Sequence, residues 1–173
     1  FRRVLFRSIQ LTWNAPVLEK IAGWGSQDRY QQFGLGGDPF YFAQKWDTKD
    51  LQPVHKKTIR KVNFYPQEGV TYGVYIKQGN REYEESFTQL KSGKINSVTL
   101  KTPFVIDAKL DLLVAIHVIS YANNTYPACS DEGPAVDGKG NLYSLDGKKW
   151  ETFSDDELDA NVVLSIVISA EEG

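Results

Sequence analysis

The sequence predicts an all-β fold, an antiparallel β-sandwich or jelly roll, and three observations support that prediction. Glycine and proline interrupt the chain so often that no long stretch keeps the helical period of about 3.6 residues. In the segment 70–77, Val70, Tyr72, Val74 and Ile76 alternate with less apolar residues, which is typical of a strand with one wet face. Glycine-rich turn clusters separate this segment from similar ones along the chain.

The individual strands follow from the same alternation and from β-branched and aromatic content. We expect strands at 9–13, 40–46, 58–65, 70–77, 82–88, 96–100, 111–120, 140–145 and 161–169. Two segments, LLVAIHVI and VVLSIVI, are apolar on both faces, so they are predicted to lie centrally between covering layers. A hairpin is expected at Asp146 and Gly147. A short helical turn is expected at 47–51, capped by Thr48, or at 154–158.

The length of 173 residues suits one domain with a core of its own. The first eight residues, FRRVLFRS, look like the translation of a sequencing-adapter oligonucleotide, and we exclude them from the fold prediction. Residues 9–16 contain LTWNAP, which resembles a fibronectin type III strand and belongs either to this domain or to a truncated upstream module. The β-sandwich domain is predicted over 17–173. Because the chain has no Met, we interpret it as an interior fragment of a longer protein.

Charge and composition exclude several classes of partner. The chain has 20 Lys and Arg against 22 Asp and Glu, and without Arg2, Arg3 and Arg7 the balance becomes 17 minus 22, or −5. This leaves no basic footprint for nucleic acid. The longest apolar run, at 112–119, falls short of the roughly 18 residues that cross a bilayer, so no membrane insertion is expected.

We predict that the module is not an enzyme, because the residues that commonly carry catalysis are few and scattered. Cys129 is the one cysteine, and its own segment holds no histidine partner. His117 falls inside a predicted strand, and His55 falls in a polar loop. Adjacent carboxylates such as Glu84 and Glu85 point to opposite faces of a strand, so they cannot form a glycosidase pair, although a long-range pair stays open.

Loop aromatics and one glycine-rich loop supply the candidate binding residues. Sugars stack on flat aromatic rings, and the rings in or beside loops belong to Trp24, Tyr30, Tyr121, Tyr126 and Trp150. Of these, Trp24, Tyr30 and Tyr126 are predicted to stack on a ligand at one end of the sandwich, with Asp28 or Asp131 fixing polar groups. Packing beneath their own loops is the alternative for each ring.

The metal that the sequence favours is a structural calcium ion. Asp131, Asp137 and Asn141 offer hard oxygen donors within a glycine-rich loop. Their spacing does not fit an EF-hand. The alternative is that these residues only form turns, which require Gly and Asp. No cofactor other than this calcium ion is expected.

Several strings in a fixed order carry a resemblance to a known family. FGLGG is followed by KVNFYP, VTYGVYIKQG, VTLKTPFVID, LLVAIHV and YPACSDEGPAVDGKGNLYSLDGKKW, which together span about 21–168. This order resembles an adhesin-type module of surface proteins and secreted proteases of Bacteroidota, akin to the hemagglutinin/adhesin domains that accompany gingipain-like peptidases. The resemblance implies a jelly-roll fold, a non-catalytic role in adhesion or carbohydrate binding, and in some members bound calcium.

Together these observations predict a binding or adhesion module of a larger secreted or cell-surface bacterial protein. Its expected partners are a glycan or a host surface protein, besides the neighbouring domains of its own chain. The alternative is a spacer or accessory domain of a secreted protease or glycosidase that has no ligand of its own.

Overall fold

The computed structural model describes residues 19–156 and 158–172, so the predictions for 1–8 and 9–16 lie outside the described residues. Twelve strands are formed: β1 (Glu19–Ala22), β2 (Gln31–Phe33), β3 (Phe40–Trp46), β4 (Lys57–Phe64), β5 (Thr71–Gln78), β6 (Arg81–Phe87), β7 (Asn96–Val105), β8 (Leu112–Ser120), β9 (Ala128–Ser130), β10 (Leu142–Ser144), β11 (Glu151–Thr152) and β12 (Leu164–Glu172). One α-helical turn, α1 (Thr48–Leu51), and two 3₁₀ turns, Gln52–Val54 and Phe153–Asp156, complete the elements of this part of the chain.

The strands form two antiparallel sheets that pack together as a β-sandwich, which confirms the predicted fold class. One sheet has the order β1-β12-β4-β7, and the other has the order β11-β10-β3-β8-β5-β6. A separate ribbon pairs β2 with β9. Both strands that were predicted to be central lie inside their sheets. β12 lies between β1 and β4, and β8 lies between β3 and β5. Each presents apolar side chains on both faces because both faces are covered.

The main core lies between the two sheets. Its largest fully buried side chains are Tyr72, Phe40, Phe42, Phe64, Leu51, Ile59, Ile76, Ile106, Leu112, Ile116, Leu164 and Ile166. Trp46 belongs to the same core and is 5% exposed. Burial of this much apolar surface is the main favourable contribution to folding.

Strand boundaries agree best where the alternation is cleanest. β3 spans the predicted residues, whereas β7 continues to Val105, five residues beyond the expected end at residue 100. The extension contains Pro103, which an edge strand tolerates because its outer N–H groups need no ladder partner. The strands β1, β2, β9 and β11 were not predicted, because each has only two to four residues.

The N-cap of the helical turn α1 lies one residue earlier than predicted. Asp47, and not the predicted Thr48, is the N-cap residue, and its N–H donates to Asp50 Oδ2 at 2.9 Å. Thr48 is already helical, and its own N–H donates to Asp111 Oδ1 at 3.2 Å. A carboxylate at the start of a helix accepts backbone N–H groups that have no partner within the helix.

Candidate ligand-binding site

The outer face of the six-stranded sheet carries side chains that alternate with those of the core. Strand register places them in three rows across β3, β8, β5 and β6. The rows are Lys45–Leu113–Lys77–Glu82, Ala43–Ala115–Tyr75–Glu84 and Tyr41–His117–Gly73–Ser86. Each strand therefore supplies one residue to each row, and residues far apart in sequence become neighbours.

A second apolar cluster forms on this outer face. Ala43 and Ala115 are fully buried although they face away from the main core, and they pack with Tyr75 and Leu142. The rings of Tyr41 and Tyr75 meet edge to face at 5.8 Å. Small side chains in the middle row leave room for such rings to pack over them. The cluster gives the outer face a rigid aromatic surface.

Tyr41 also stacks on the neighbouring His117. Their ring centroids are 4.0 Å apart with an interplanar angle of 12°, and His117 Nδ1 lies 3.0 Å from Glu84 Oε1. Burial, together with the negative charge of Glu84, raises the pKa of the Tyr41 hydroxyl. Burial and a hydrogen bond to Glu82 raise the pKa of Tyr75 to about 12. Both phenols are therefore neutral hydrogen-bond donors at physiological pH.

The predicted turn at Asp146 and Gly147 lies in the β10–β11 hairpin, and this hairpin places Trp150 at the border of the outer face. Asp146 Oδ1 accepts the N–H groups of Lys148 and Lys149, both at 2.8 Å. Gly147 has a φ of 71°, and a Cβ there would lie 3.2 Å from the Tyr41 ring. Glycine is favoured at this position because the turn has a positive φ and the Tyr41 ring would have to shift by a few tenths of an ångström to admit a Cβ.

A cleft of about 380 Å³ lies over the first row, and we call it the outer cleft. Its lining includes Lys45, Lys77, Asp111, Leu113 and Trp150. Lys45 Nζ lies 3.0 Å from Asp111 Oδ2, and Lys77 Nζ lies 2.9 Å from Glu82 Oε1. The outer cleft thus combines an aromatic wall and an apolar floor with donors and acceptors at its rim. This is the composition of a small-ligand site.

A larger depression of about 560 Å³ lies at the opposite end of β5 and β6, between residues 67–71 and 87–92. The aromatic ring in its wall, Phe87, packs against the main core. The outer cleft is therefore the better candidate for a ligand that stacks on a ring.

Trp24, predicted to stack on a ligand, is half-buried and already in contact with protein groups. Its indole Nε1–H donates to the carbonyl oxygen of Lys45 at 2.7 Å, and its ring stacks on Trp46 with centroids 6.5 Å apart. Lys139 Nζ lies 5.0 Å from the ring centroid. These contacts pack Trp24 at the sandwich edge, and ligand stacking by its ring stays a prediction.

The other predicted ligand residues are exposed but lie apart from one another. Tyr30 is 67% exposed and Tyr126 is 58% exposed. Tyr30 precedes β2, whereas Tyr126 lies beside Gly34, which follows β2, so the two rings are at opposite ends of the β2–β9 ribbon. Asp28 accepts a hydrogen bond from Ser26 Oγ at 3.1 Å within its own turn. Ligand contact by these residues stays a prediction, and the structure does not gather them into one site.

Of the two remaining loop aromatics, only Trp150 lines the outer cleft. Tyr121 packs edge to face on Phe40, and its hydroxyl accepts the N–H of Leu35 at 2.8 Å.

Asp131, predicted as a calcium ligand, is buried and accepts hydrogen bonds from the protein. Its oxygens accept the N–H groups of Ser26, Gly133 and Asn161 at 2.8, 2.9 and 2.7 Å. A Cβ on Gly25 would lie 2.1 Å from Asp131 Oδ2, so glycine is needed there as well. Asp131 therefore joins three loop segments of the sandwich.

Asp137 and Asn141, the other two predicted calcium ligands, contact each other. Asn141 Nδ2 donates to Asp137 Oδ1 at 3.0 Å, and Ser154 Oγ donates to the same oxygen at 2.7 Å. These hydrogen bonds lower the pKa of Asp137. Among the residues that the structure describes, no group of three or more His, Cys, Asp and Glu side chains is placed to hold a metal ion. Calcium binding stays a prediction.

The residues considered for catalysis are engaged in packing and local hydrogen bonds. Cys129 is 1% exposed, and burial raises the pKa of its thiol to about 11. His55 Nδ1 accepts the N–H of Ala108 at 3.0 Å. Glu84 lies beside His117, whereas Glu85 on the other face accepts from Tyr83 and the N–H of Lys101.

Comparison with solved structures supports the fold described above. No protein-family model and no curated protein matches the chain. Among solved structures, the chain is similar to a Clostridial cysteine protease, Cwp84, after propeptide cleavage, with a TM-score of 0.57 and 17% identity. The match covers 88% of this chain and 40% of the protease chain. At this identity the likeness shows the fold alone. This match is not to a Bacteroidota adhesin, so the resemblance of the sequence to such adhesins stays a prediction.

No helix within 19–156 and 158–172 is long and apolar enough to cross a membrane.

Proposed function

We propose that this chain is a non-catalytic, glycan-binding accessory module of a larger secreted or cell-surface protein. The observation that carries the proposal is the outer cleft, where the Trp150 ring stands beside the Lys45–Asp111 ion pair. The similarity to part of a longer protease chain supports an accessory position next to other domains.

The chemistry of the outer cleft fits a sugar ring. The C–H face of a pyranose stacks on an aromatic ring, and its hydroxyls both donate and accept hydrogen bonds. Trp150 would supply the ring face, and Leu113 would contact the edge of the sugar. Lys45 and Lys77 would donate to hydroxyl oxygens, while Asp111 would accept from a hydroxyl.

The outer cleft is also held in shape before a ligand arrives. Lys45, Leu113 and Lys77 lie on adjacent strands whose register is fixed by the ladder. Side chains mounted on strands lose less conformational entropy on binding than side chains on mobile loops. The small volume of the cleft suits a short stretch of glycan.

A glycan array followed by calorimetric titration of the best ligand tests this proposal. Trp150→Ala is expected to weaken binding about tenfold, equivalent to about 1.4 kcal/mol. The matched control is Leu145→Ala, which removes an exposed apolar side chain of the same hairpin that does not line the outer cleft and should leave affinity unchanged. Equal losses in both variants would contradict the assignment to the cleft.

The spacer alternative is favoured by one specific observation. The Trp150 ring lies edge to face with Tyr41 at 6.2 Å, so it also closes the apolar cluster beneath it. If the wild-type chain gives no array signal with or without calcium, the role of Trp150 is packing. A module that only positions a neighbouring enzyme domain would then replace the binding function.

A further inference from the structure

A second concave surface lies at the same end of the sandwich as the outer cleft and has a different charge. This basic depression has a volume of about 370 Å³, and its charged lining residues are His55, Lys56, Arg81, Lys109 and Asp107. Three full positive charges stand against one carboxylate, although the whole chain carries a net charge of −2. Such local segregation of charge attracts an anion to a protein that is acidic overall.

The guanidinium group of Arg81 is held in place beside the basic depression. Its Nη2 donates to Gln78 Oε1 at 2.5 Å and to the carbonyl oxygen of Val105 at 2.9 Å. Its central carbon lies 4.6 Å from the ring centroid of Phe104. Because the guanidinium group is already ordered, less conformational entropy is lost when its remaining N–H groups, on Nη1 and Nε, donate to a carboxylate or sulfate.

Lys56 reaches the depression from an unusual backbone conformation. Its φ is 62°, which glycine adopts more readily than any residue with a side chain. The N–H of Lys56 donates to the carbonyl oxygen of Ile106 at 2.9 Å, which fixes the backbone here. Conformations that cost energy are concentrated at functional positions. A glycine would fit this backbone conformation better than a lysine, and the Lys56 side chain is exposed to solvent.

His55 adds a hydrogen-bond donor. Its Nδ1 accepts the N–H of Ala108, so in the neutral imidazole the proton is on Nε2, which is then a donor. Asp107 is the one lining carboxylate, and its Oδ1 accepts the N–H of Lys109 at 3.0 Å and lies 3.9 Å from His55 Nδ1. The backbone of Asp107 is hydrogen-bonded to Gln78.

We infer that the basic depression binds the carboxylate or sulfate groups of an acidic glycan. The site shares no charged residue with the outer cleft, so the inference goes beyond the proposed function. The β5–β6 hairpin separates the two surfaces, with Lys77 on one side and Arg81 on the other. An acidic glycan is favoured over nucleic acid because the depression offers few cations and the chain as a whole repels a polyphosphate.

The test is a calorimetric titration of the full chain with three oligosaccharides of equal length: sulfated, uronate-containing and neutral. Binding of a charged oligosaccharide is expected to weaken with added salt, because the basic side chains of the depression displace counterions from the ligand. Lys109→Gln and Arg81→Gln should each weaken it about tenfold. Arg81→Lys keeps the charge but loses the Nη1 and Nε donors and the contacts that hold the guanidinium in place, so it should weaken binding to an intermediate degree.

The matched control is Lys94→Gln, which removes one exposed positive charge outside the depression. Thermal melts would first confirm that each variant is folded. Equal losses in Lys94→Gln and Lys109→Gln, equal affinity for charged and neutral oligosaccharides, or tighter binding of a single-stranded DNA of the same charge would each overturn the inference. Failure of the proposed function is a separate result, because Trp150→Ala is expected to leave charged-glycan binding through the depression intact.

Discussion

Gln78 binds the backbone of Asp107 twice: its Nε2 donates to the carbonyl oxygen at 2.9 Å, and its Oε1 accepts the N–H at 2.9 Å. The same amide donates to the carbonyl oxygen of Leu110 at 3.0 Å and accepts from Arg81. The Gln78 side chain is fully buried at the end of β5. It joins the β5–β6 hairpin to the segment that precedes β8, and these two segments border both the outer cleft and the basic depression.

Replacing Gln78 should destabilise the sandwich and disturb both surfaces. Gln78→Ala leaves two carbonyl groups and one N–H in this segment without their side-chain partner, so we expect the free energy of unfolding to fall by about 2–4 kcal/mol. Urea denaturation followed by tryptophan fluorescence measures the change. Gln89→Ala, at an exposed position, is the control and should alter stability by less than about 0.5 kcal/mol. Equal effects of the two substitutions would show that the Gln78 hydrogen bonds contribute nothing specific.

Asp131→Asn tests whether this carboxylate joins loops or binds calcium. One acceptor oxygen becomes an amide donor facing backbone N–H groups, so we expect a loss of about 2–3 kcal/mol of stability. If the role is hydrogen bonding, the loss is the same in calcium and in chelator. Glu132→Gln removes an exposed neighbouring charge and should have little effect. A destabilisation seen only in calcium-containing buffer would instead support the predicted metal site.

Tyr75→Phe should reduce the loss of stability at alkaline pH. The pKa of Tyr75 is about 12 in the folded protein against an ordinary value of 10.0, so the unfolded chain loses this proton first. The contribution is fully present below pH 10 and is lost as pH rises through 12. It amounts to at most about 3 kcal/mol. Urea midpoints between pH 8 and 12 should fall less steeply for the variant, and identical slopes would contradict the assigned shift.

Gly147→Ala should destabilise the hairpin that carries Trp150 more than an equivalent change at Gly138. Both glycines have a φ of 71°, so both substitutions carry the same backbone cost of about 1 kcal/mol. Only the Cβ at Gly147 meets the Tyr41 ring, whereas at Gly138 nothing lies within 4 Å. The difference between the melting temperatures of the two variants therefore measures the cost of the contact between the Cβ and the Tyr41 ring. Equal melting temperatures would show that the ring moves aside without cost.

Short-range pattern determined much of the fold. The apolar runs of β8 and β12 predicted central strands, because only a strand covered on both faces can bury such a sequence. The alternation in β5 predicted a strand, and the Asp-Gly pair predicted the β10–β11 hairpin. These features depend on neighbours a few residues apart, so the sequence contains the information directly.

Long-range register decided the rest. Lys45, Leu113 and Lys77 belong to three strands, and nothing in their separate segments shows that they form one row beneath Trp150. Asp131 was predicted to hold a ligand or a calcium ion, but it is 1% exposed because segments at least 30 residues away, which contain Ser26 and Asn161, bring their N–H groups to it.

The sequence by itself therefore determined that this protein is an all-β sandwich with particular central strands. Only the tertiary structure decided which aromatic ring borders a cleft and where positive charge gathers. The physical reason is that a strand's period depends on its own residues, whereas a binding surface depends on the register and packing among strands.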